Sequence, residues 1–233
     1  MRSILYGLLH KFRPSSKIGT ILLAGFILSV LLMFVSAMII DEVLEQEIDW
    51  FDRAAYDLFH RLHSDSFTAD VIFLTDMGAA PALLSIFALV ASVLLWFKQR
   101  IEALMLALAL GGGGLFNYGL KMLFRRDRPS FEHLVTVQGY SFPSGHAMVS
   151  FVFYGMLGYL AWYYLRKRGI WRWVVPLCLV FFALAIGCSR IYLGVHYASD
   201  VIAGFTIGGV WLTACIMGLH LLHWYVEKQK RMI

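Results

Sequence analysis

Arg190, His196 and Asp200 stand together at the edge of long apolar runs near the C-terminus. Ionisable side chains at membrane depth are costly and mark functional sites. Two further clusters share this setting: Lys121 with Arg128 and Pro129, and Pro143-Ser144-Gly145-His146. Three cations, two histidines and a carboxylate make poor packing material, but they suit phosphate chemistry. Cations spread charge over the phosphate oxygens, while histidine can attack phosphorus or carry a proton.

Each cluster has a plainer reading beside the chemical one. His196 and Asp200 lie at i and i+4, which a helix puts on one face. A carboxylate bonded to one ring nitrogen fixes the tautomer and leaves the other nitrogen nucleophilic. The alternative is a buried polar pair joining helices, a weaker reading once Arg190 is added. Pro143-Ser144-Gly145-His146 has the composition of a helix start whose free N–H groups accept an anion, with glycine allowing close approach. Alternatively, Ser144 is an ordinary cap. Lys121 and Arg128 are seven residues apart, roughly 10 Å if helical, and Pro129 turns the chain away. Both can converge on phosphate oxygens, or snorkel to headgroups.

The elements that must position these residues are membrane helices. The chain has 233 residues, 60% hydrophobic and 15% charged, with mean hydropathy +0.70. Soluble domains carry roughly 45–50% apolar and 25% charged residues. Six apolar spans are expected at 19–40, 71–97, 101–124, 145–165, 174–189 and 199–222, the fifth drawn short. The first is longer than the roughly 7–15 residues of a signal-peptide core, so an uncleaved span is expected. Cys178, Cys188 and Cys215 all fall inside these spans and read as small hydrophobes, not a disulfide frame.

Charge placement orients the bundle. Basic residues lie in the N-terminal tail, at Lys98 and Arg100, at Arg166, Lys167, Arg168 and Arg172, and at Lys228, Lys230 and Arg231. With six spans all four segments fall on the cytoplasmic side, as the positive-inside rule requires. The formal net charge of +5 is therefore topological, and no nucleic-acid partner is implied. Arg125, Arg126 and Arg128 break the rule on an outer loop, and anion binding supplies a reason. Every candidate residue then falls at one depth on the outer face. Residues 1–233 read as a single membrane domain. In the acidic connection 41–70, Phe51, Ala55, Leu58, Phe59 and Leu62 recur at helical spacing. That amphipathic segment either lies on the outer membrane face with Trp50 as anchor or packs on the bundle. Gly111 to Gly114 are read as packing residues without chemistry, and Asp76 as a cap or partner of a site cation. Arg125, Arg126 and Asp127 are read as headgroup contacts, while His60 and His63 are read as exposed surface residues.

Together these clusters resemble the three-part signature of the type-2 phosphatidic acid phosphatase superfamily: Lys-x6-Arg-Pro, Pro-Ser-Gly-His and Ser-Arg-x5-His-x3-Asp. All its fixed positions are present in order, from Lys121, Arg128 and Pro129 through Pro143 to His146, then Ser189, Arg190, His196 and Asp200. The layout is similar to the bacterial integral-membrane branch. The resemblance implies an all-α, six-span bundle that hydrolyses a lipid phosphate monoester or lipid pyrophosphate at the outer leaflet of the bacterial plasma membrane. His196 would attack phosphorus, Asp200 orient it, and His146 protonate the leaving group and then activate water. Lys121, Arg128, Ser144, Gly145 and Arg190 would hold the phosphate oxygens, with no metal and no cofactor. Phosphatidylglycerophosphate and undecaprenyl pyrophosphate are the expected substrates, with phosphatidic acid or lipid A phosphates as alternatives. A vanadate-dependent haloperoxidase shares the pocket but belongs to soluble members. A non-enzymatic lipid-binding protein would lack the histidines or the aspartate.

Overall fold

Long segments without charge fold as helices in an apolar medium because each backbone N–H and C=O must be satisfied within the segment. The computed structural model describes residues 17–230. All regular structure among them is helical: α1 (Lys17–Leu44), α2 (Asp49–His60), α3 (Asp65–Asp76), α4 (Ala80–Trp96), α5 (Arg100–Phe124), α6 (Gly145–Tyr164), α7 (Trp171–Tyr192) and α8 (Ala198–Lys230). The expected basic residues Arg2, Lys11, Arg13 and Arg231 lie outside the described residues.

Four helices, α1, α5, α7 and α8, are long and apolar enough to cross a membrane, and α3 with α4 would make a fifth as one bent span. The expected second span, 71–97, is thus not one straight helix. It breaks at Met77-Gly78-Ala79 with a 49° bend. A Cβ on Gly78 would collide with Ile186 and lie 2.7 Å from Ser150 Oγ, so the break sits where the chain presses on α6 and α7. Helix α7 runs to both sides of the expected 174–189, and α8 extends to Lys230.

Helix α6 is the hub of the bundle, packed against α5, α7 and α8. Its Ala147, Met148, Val152, Phe153 and Met156 are fully buried. A helix enclosed by other helices can carry Ser150, Tyr154 and several glycines, and this one is not among the helices apolar enough to count as a membrane span by themselves. Small residues bring its neighbours close. A Cβ on Gly204 would stand 2.9 Å from Ser144 O, and one on Gly208 3.0 Å from Met148 O, so α8 lies backbone to backbone with the start of α6.

The outside of the bundle is apolar. Phe26 and Phe34 on α1, Phe73 on α3, Leu89 and Trp96 on α4, Leu115 and Leu123 on α5 and Phe181 on α7 are all exposed. So broad an apolar surface is what a lipid environment requires. Helix α2 packs on the bundle through Phe51, Ala55 and Phe59, which meet Ile191, Val201 and Ala198. Trp50, Leu58 and Leu62 remain exposed on its other side. The three cysteines are free.

Candidate active site

Four helix ends and two loops build the site. Lys121 is in the last turn of α5, Ser144 caps α6, Arg190 is in the last turn of α7 and Asp200 in the first turn of α8. Arg128 and His196 come from the connections between them. Gly194 has φ +70, and a Cβ there would strike Glu132 O. Only glycine suits that conformation and contact. The crossing ties the two connections together: Leu134 N–H donates to Leu193 O at 3.1 Å, and Arg128 Nη1 donates to Val195 O at 2.8 Å.

His196 Nδ1 lies 3.2 Å from Asp200 Oδ2, and its Nε2 lies 3.3 Å from Arg128 Nη1. Burial, more than the nearby cations, pushes the His196 imidazole down to about 4 despite the Asp200 carboxylate. The pair is therefore a hydrogen bond from a neutral ring. The Nδ1 proton goes to Asp200 and the Nε2 lone pair faces the cations.

The cations are held in different ways. Arg128 also donates to Gly139 O and Gln138 O, both at 2.9 Å, and burial lowers its pKa. Lys121 Nζ donates to Tyr140 O and, at 3.2 Å, to Ser141 O. Arg190 is buried, with Nη1 on Thr75 Oγ1 at 3.0 Å and Nε without a hydrogen-bond partner among the described residues. A buried unpaired donor on a cation costs free energy unless a ligand meets it. Ser144 Oγ accepts from Ala147 N–H, and Asn117 holds Pro143 O across a cis Phe142–Pro143 peptide. His146 is within electrostatic range of Arg190, His196, Arg128 and Lys121. All eight residues singled out in the sequence thus gather at one end of the bundle.

An apolar cleft of about 460 Å³ runs from this cluster between α4 and α5. Leu83, Leu84, Gly111, Gly114 and Leu115 line it, and Asn117, Gly145 and His146 close its polar end. The glycine run therefore divides. Gly112 makes room for Trp211, as packing requires, whereas Gly111 and Gly114 face open space.

The structure changes the reading of Arg126 and adds Asp52. Arg126 turns inward onto Asp200 Oδ1 at 2.7 Å and Asp52 Oδ2 at 3.0 Å, and does not face headgroups. Asp52 is 1% exposed and was not singled out. The apolar stripe of Phe51, Ala55 and Phe59 does not include it, and its partner Ser199 lies far along the chain. Thr75 accepts the Arg190 hydrogen bond, and the exposed Asp76 acts on Arg190 by charge alone, as a partner of a site cation.

The family model described as "PAP2 superfamily" matches residues 102–224. Phosphatidylglycerophosphatase B of Bacillus subtilis (strain 168) is 32% identical over 135 residues, 58% of this chain and 66% of that protein. The Escherichia coli (strain K12) protein named "Putative undecaprenyl-diphosphatase YbjG" is 34% identical over 141 residues, 55% of this chain and 64% of the relative. Both matches span slightly less than two thirds of the relative. The crystal structure of a transmembrane PAP2-type phosphatidylglycerolphosphate phosphatase from Bacillus subtilis superposes with a TM-score of 0.75 at 25% identity, covering 80% of this chain and 93% of that one. The match over residues 102–224 includes every residue of the gathered cluster, and the chain belongs to the PAP2 superfamily.

Proposed function

We propose that this protein is a membrane lipid phosphatase, a single domain that cleaves a lipid phosphate monoester or lipid pyrophosphate through a phosphohistidine on His196. The observation that carries this reading is the placement of the His196 ring, bonded to Asp200 at Nδ1 with Nε2 turned toward Arg128. Nε2 attacks phosphorus in line with the leaving oxygen, forming N–P as the P–O bond breaks. His146 gives that oxygen its proton. Asp200 stabilises the imidazolium that develops. Water, losing a proton to His146, then displaces the histidine and inorganic phosphate leaves.

Lys121, Arg128, Arg190, the Ser144 hydroxyl and the N–H groups at the start of α6 hold the three remaining oxygens. Such spread charge is what a loose phosphoryl transition state needs, and no metal ion is assigned a role. Activity is expected to persist in chelator and to be blocked by vanadate, which can adopt the trigonal-bipyramidal geometry of the transition state. Loss of activity in chelator, restored by Mg²⁺, would contradict the reading.

The apolar cleft ending at His146 favours a substrate with a lipid tail. Phosphatidylglycerophosphate and undecaprenyl pyrophosphate head the candidates, in line with the relatives' names. Phosphate release by purified protein should be measured across these lipids, phosphatidic acid and lipid A. No release from any of them would sink the proposal.

We further read the bundle as six spans of the bacterial plasma membrane, α6 being the sixth, with both ends of the chain cytoplasmic. Lys98, Arg100, Arg166 and Lys230 surround a pocket at the end opposite His196, which fits the positive-inside rule. The site then faces outward.

A further inference from the structure

Behind the His196–Asp200 pair lies a second layer of charge that the phosphatase signature does not include. Arg126 places Nη1 2.7 Å from Asp200 Oδ1 and Nη2 3.0 Å from Asp52 Oδ2, bridging α8 and α2 with one planar fork. The Ser199 hydroxyl donates to Asp52 Oδ2 at 2.7 Å and accepts from Arg126 Nη1 at 2.8 Å. Ser199 N–H donates to Asp52 Oδ1 at 2.8 Å. The Arg126 guanidinium stacks 4.0 Å from the centre of the Tyr197 ring, and Tyr197 N–H donates to Asp200 Oδ2 at 3.0 Å. Asp52, Ser199 and Asp200 are each at most 1% exposed.

We propose that Asp52 and Arg126 are positioning residues for the reaction: a buried carboxylate–guanidinium–carboxylate clamp that fixes Asp200 and keeps its charge available to His196. The inference rests on the phosphatase reading above. Two arguments support it, one from geometry and one from charge. Asp200 has two oxygens, and His196 Nδ1 must meet one of them. Arg126 holds the other, so the carboxylate cannot rotate away, and a planar fork that meets Asp200 with one nitrogen and Asp52 with the other sets the angle as a lysine could not. Arg126 alone would neutralise Asp200 and weaken its support of the imidazolium. Asp52 supplies the compensating negative charge. Burial raises the Asp52 pKa, and the bonds from Ser199 and the Arg126 charge oppose that rise. With Asp52 ionised, the cluster of Asp52, Arg126 and Asp200 carries net −1, directed at the ring that becomes positive.

A buried ion cluster can also be a mere staple holding α2 to the bundle, so the test must separate positioning from stability. The purified protein would be assayed in detergent for phosphate release, with melting temperature measured alongside. Asp52→Asn is expected to lower kcat about 10- to 100-fold, by analogy with the cost of removing an outer partner that orients the ligands of a metal site. KM and inhibition by inorganic phosphate should stay unchanged, because the cations that hold the ground-state phosphate are intact. Inhibition by vanadate, which bonds to the histidine as the transition state does, should weaken in step with kcat. Arg126→Gln should behave alike, and Arg126→Lys should recover part of its loss. The double variant Asp52→Asn/Arg126→Gln should lose no more than its worse parent, since the two act as one unit.

Losses that add, or phosphate and vanadate inhibition weakened equally, would overturn the proposal in favour of a staple. If Asp52→Asn does not fold, Ser199→Ala decides. It removes one bond from each side of the clamp, and wild-type kcat in that variant would overturn the proposal. His196→Ala serves as the control. Activity in His196→Ala defeats the phosphatase mechanism itself, whereas an inactive His196→Ala beside a fully active Asp52→Asn defeats only the clamp.

Discussion

At His196 burial and charge act on one imidazole in opposite directions. Removal from water and the neighbouring Lys121 and Arg128 disfavour the charged ring, Asp200 favours it, and burial wins, leaving its pKa at about 4. An imidazole with a lowered pKa is neutral where a free one, at roughly 6.5, is already taking up protons. In protein labelled with 15N-histidine, the His196 signal, assigned by its loss in His196→Gln, should therefore stay neutral at about pH 6. A midpoint near the free value would show the ring to be more hydrated than its burial allows. His196→Ala should abolish phosphate release while the protein still inserts and melts normally. Asp200→Asn should cost on the order of 10²- to 10⁴-fold in kcat, because the ring loses both its tautomer lock and its counter-charge. Wild-type turnover in either variant would remove the proposed nucleophile. Gly194→Ala forces a side chain into φ +70 against Glu132 O. It should destabilise by about 1–3 kcal/mol and lower kcat, by shifting the loop that carries His196. An unchanged melting temperature and kcat would mean the crossing of the two loops is not needed.

Among the elements, α5 shows how one helix serves two surfaces. Gly112 lets Trp211 of α8 approach, whereas Gly111 and Gly114 meet nothing within 4 Å and leave the cleft open toward α4. Leucine at Gly111 or Gly114 should fill that space without disturbing the α5–α8 contact. If a lipid tail occupies the cleft, displacing about two methylenes at about 0.8 kcal/mol each raises KM for a long-chain substrate roughly tenfold. A short-chain soluble phosphate should be turned over as before. Equal losses on both substrates would show that the substitutions damage the phosphate site instead. The break between α3 and α4 belongs to the same design. Bending at Gly78 brings the end of α3 onto α7, where Thr75 receives Arg190.

Across the whole molecule, basic clusters stand at both ends. The pocket ringed by Lys98, Arg100, Arg166 and Lys230 lies at one end, the cluster of Lys121, Arg128 and Arg190 at the other. In a cysteine-free background, a single cysteine within residues 131–139 should react with a membrane-impermeant thiol reagent in intact cells or spheroplasts. One within residues 166–172 should react only after permeabilisation. The reverse pattern would overturn both the orientation and an outer-leaflet substrate pool.

Much of this protein was legible before any coordinates. A charge-poor apolar run has little choice but helix, so five of the six expected segments reappear as single helices with ends adjusted. Four of them are long and apolar enough to cross a membrane. Membership of the PAP2 superfamily was legible too, because the phosphate chemistry needs fixed residue types at short spacings, and short spacings survive in one dimension. Contacts between distant segments leave no such trace. Nothing local to Asp52 says that it is buried against Ser199, 147 positions away, or that Arg126 will turn inward while Arg125 stays exposed. The bend between α3 and α4 was not hidden in the same way: Gly78 and Pro81 mark a helix boundary, but hydropathy records only that the segment is apolar. Local sequence determined the helices and the spaced signature of the family. Tertiary packing alone decided which polar groups leave water together, because the cost of burying a charge depends on the partner that meets it.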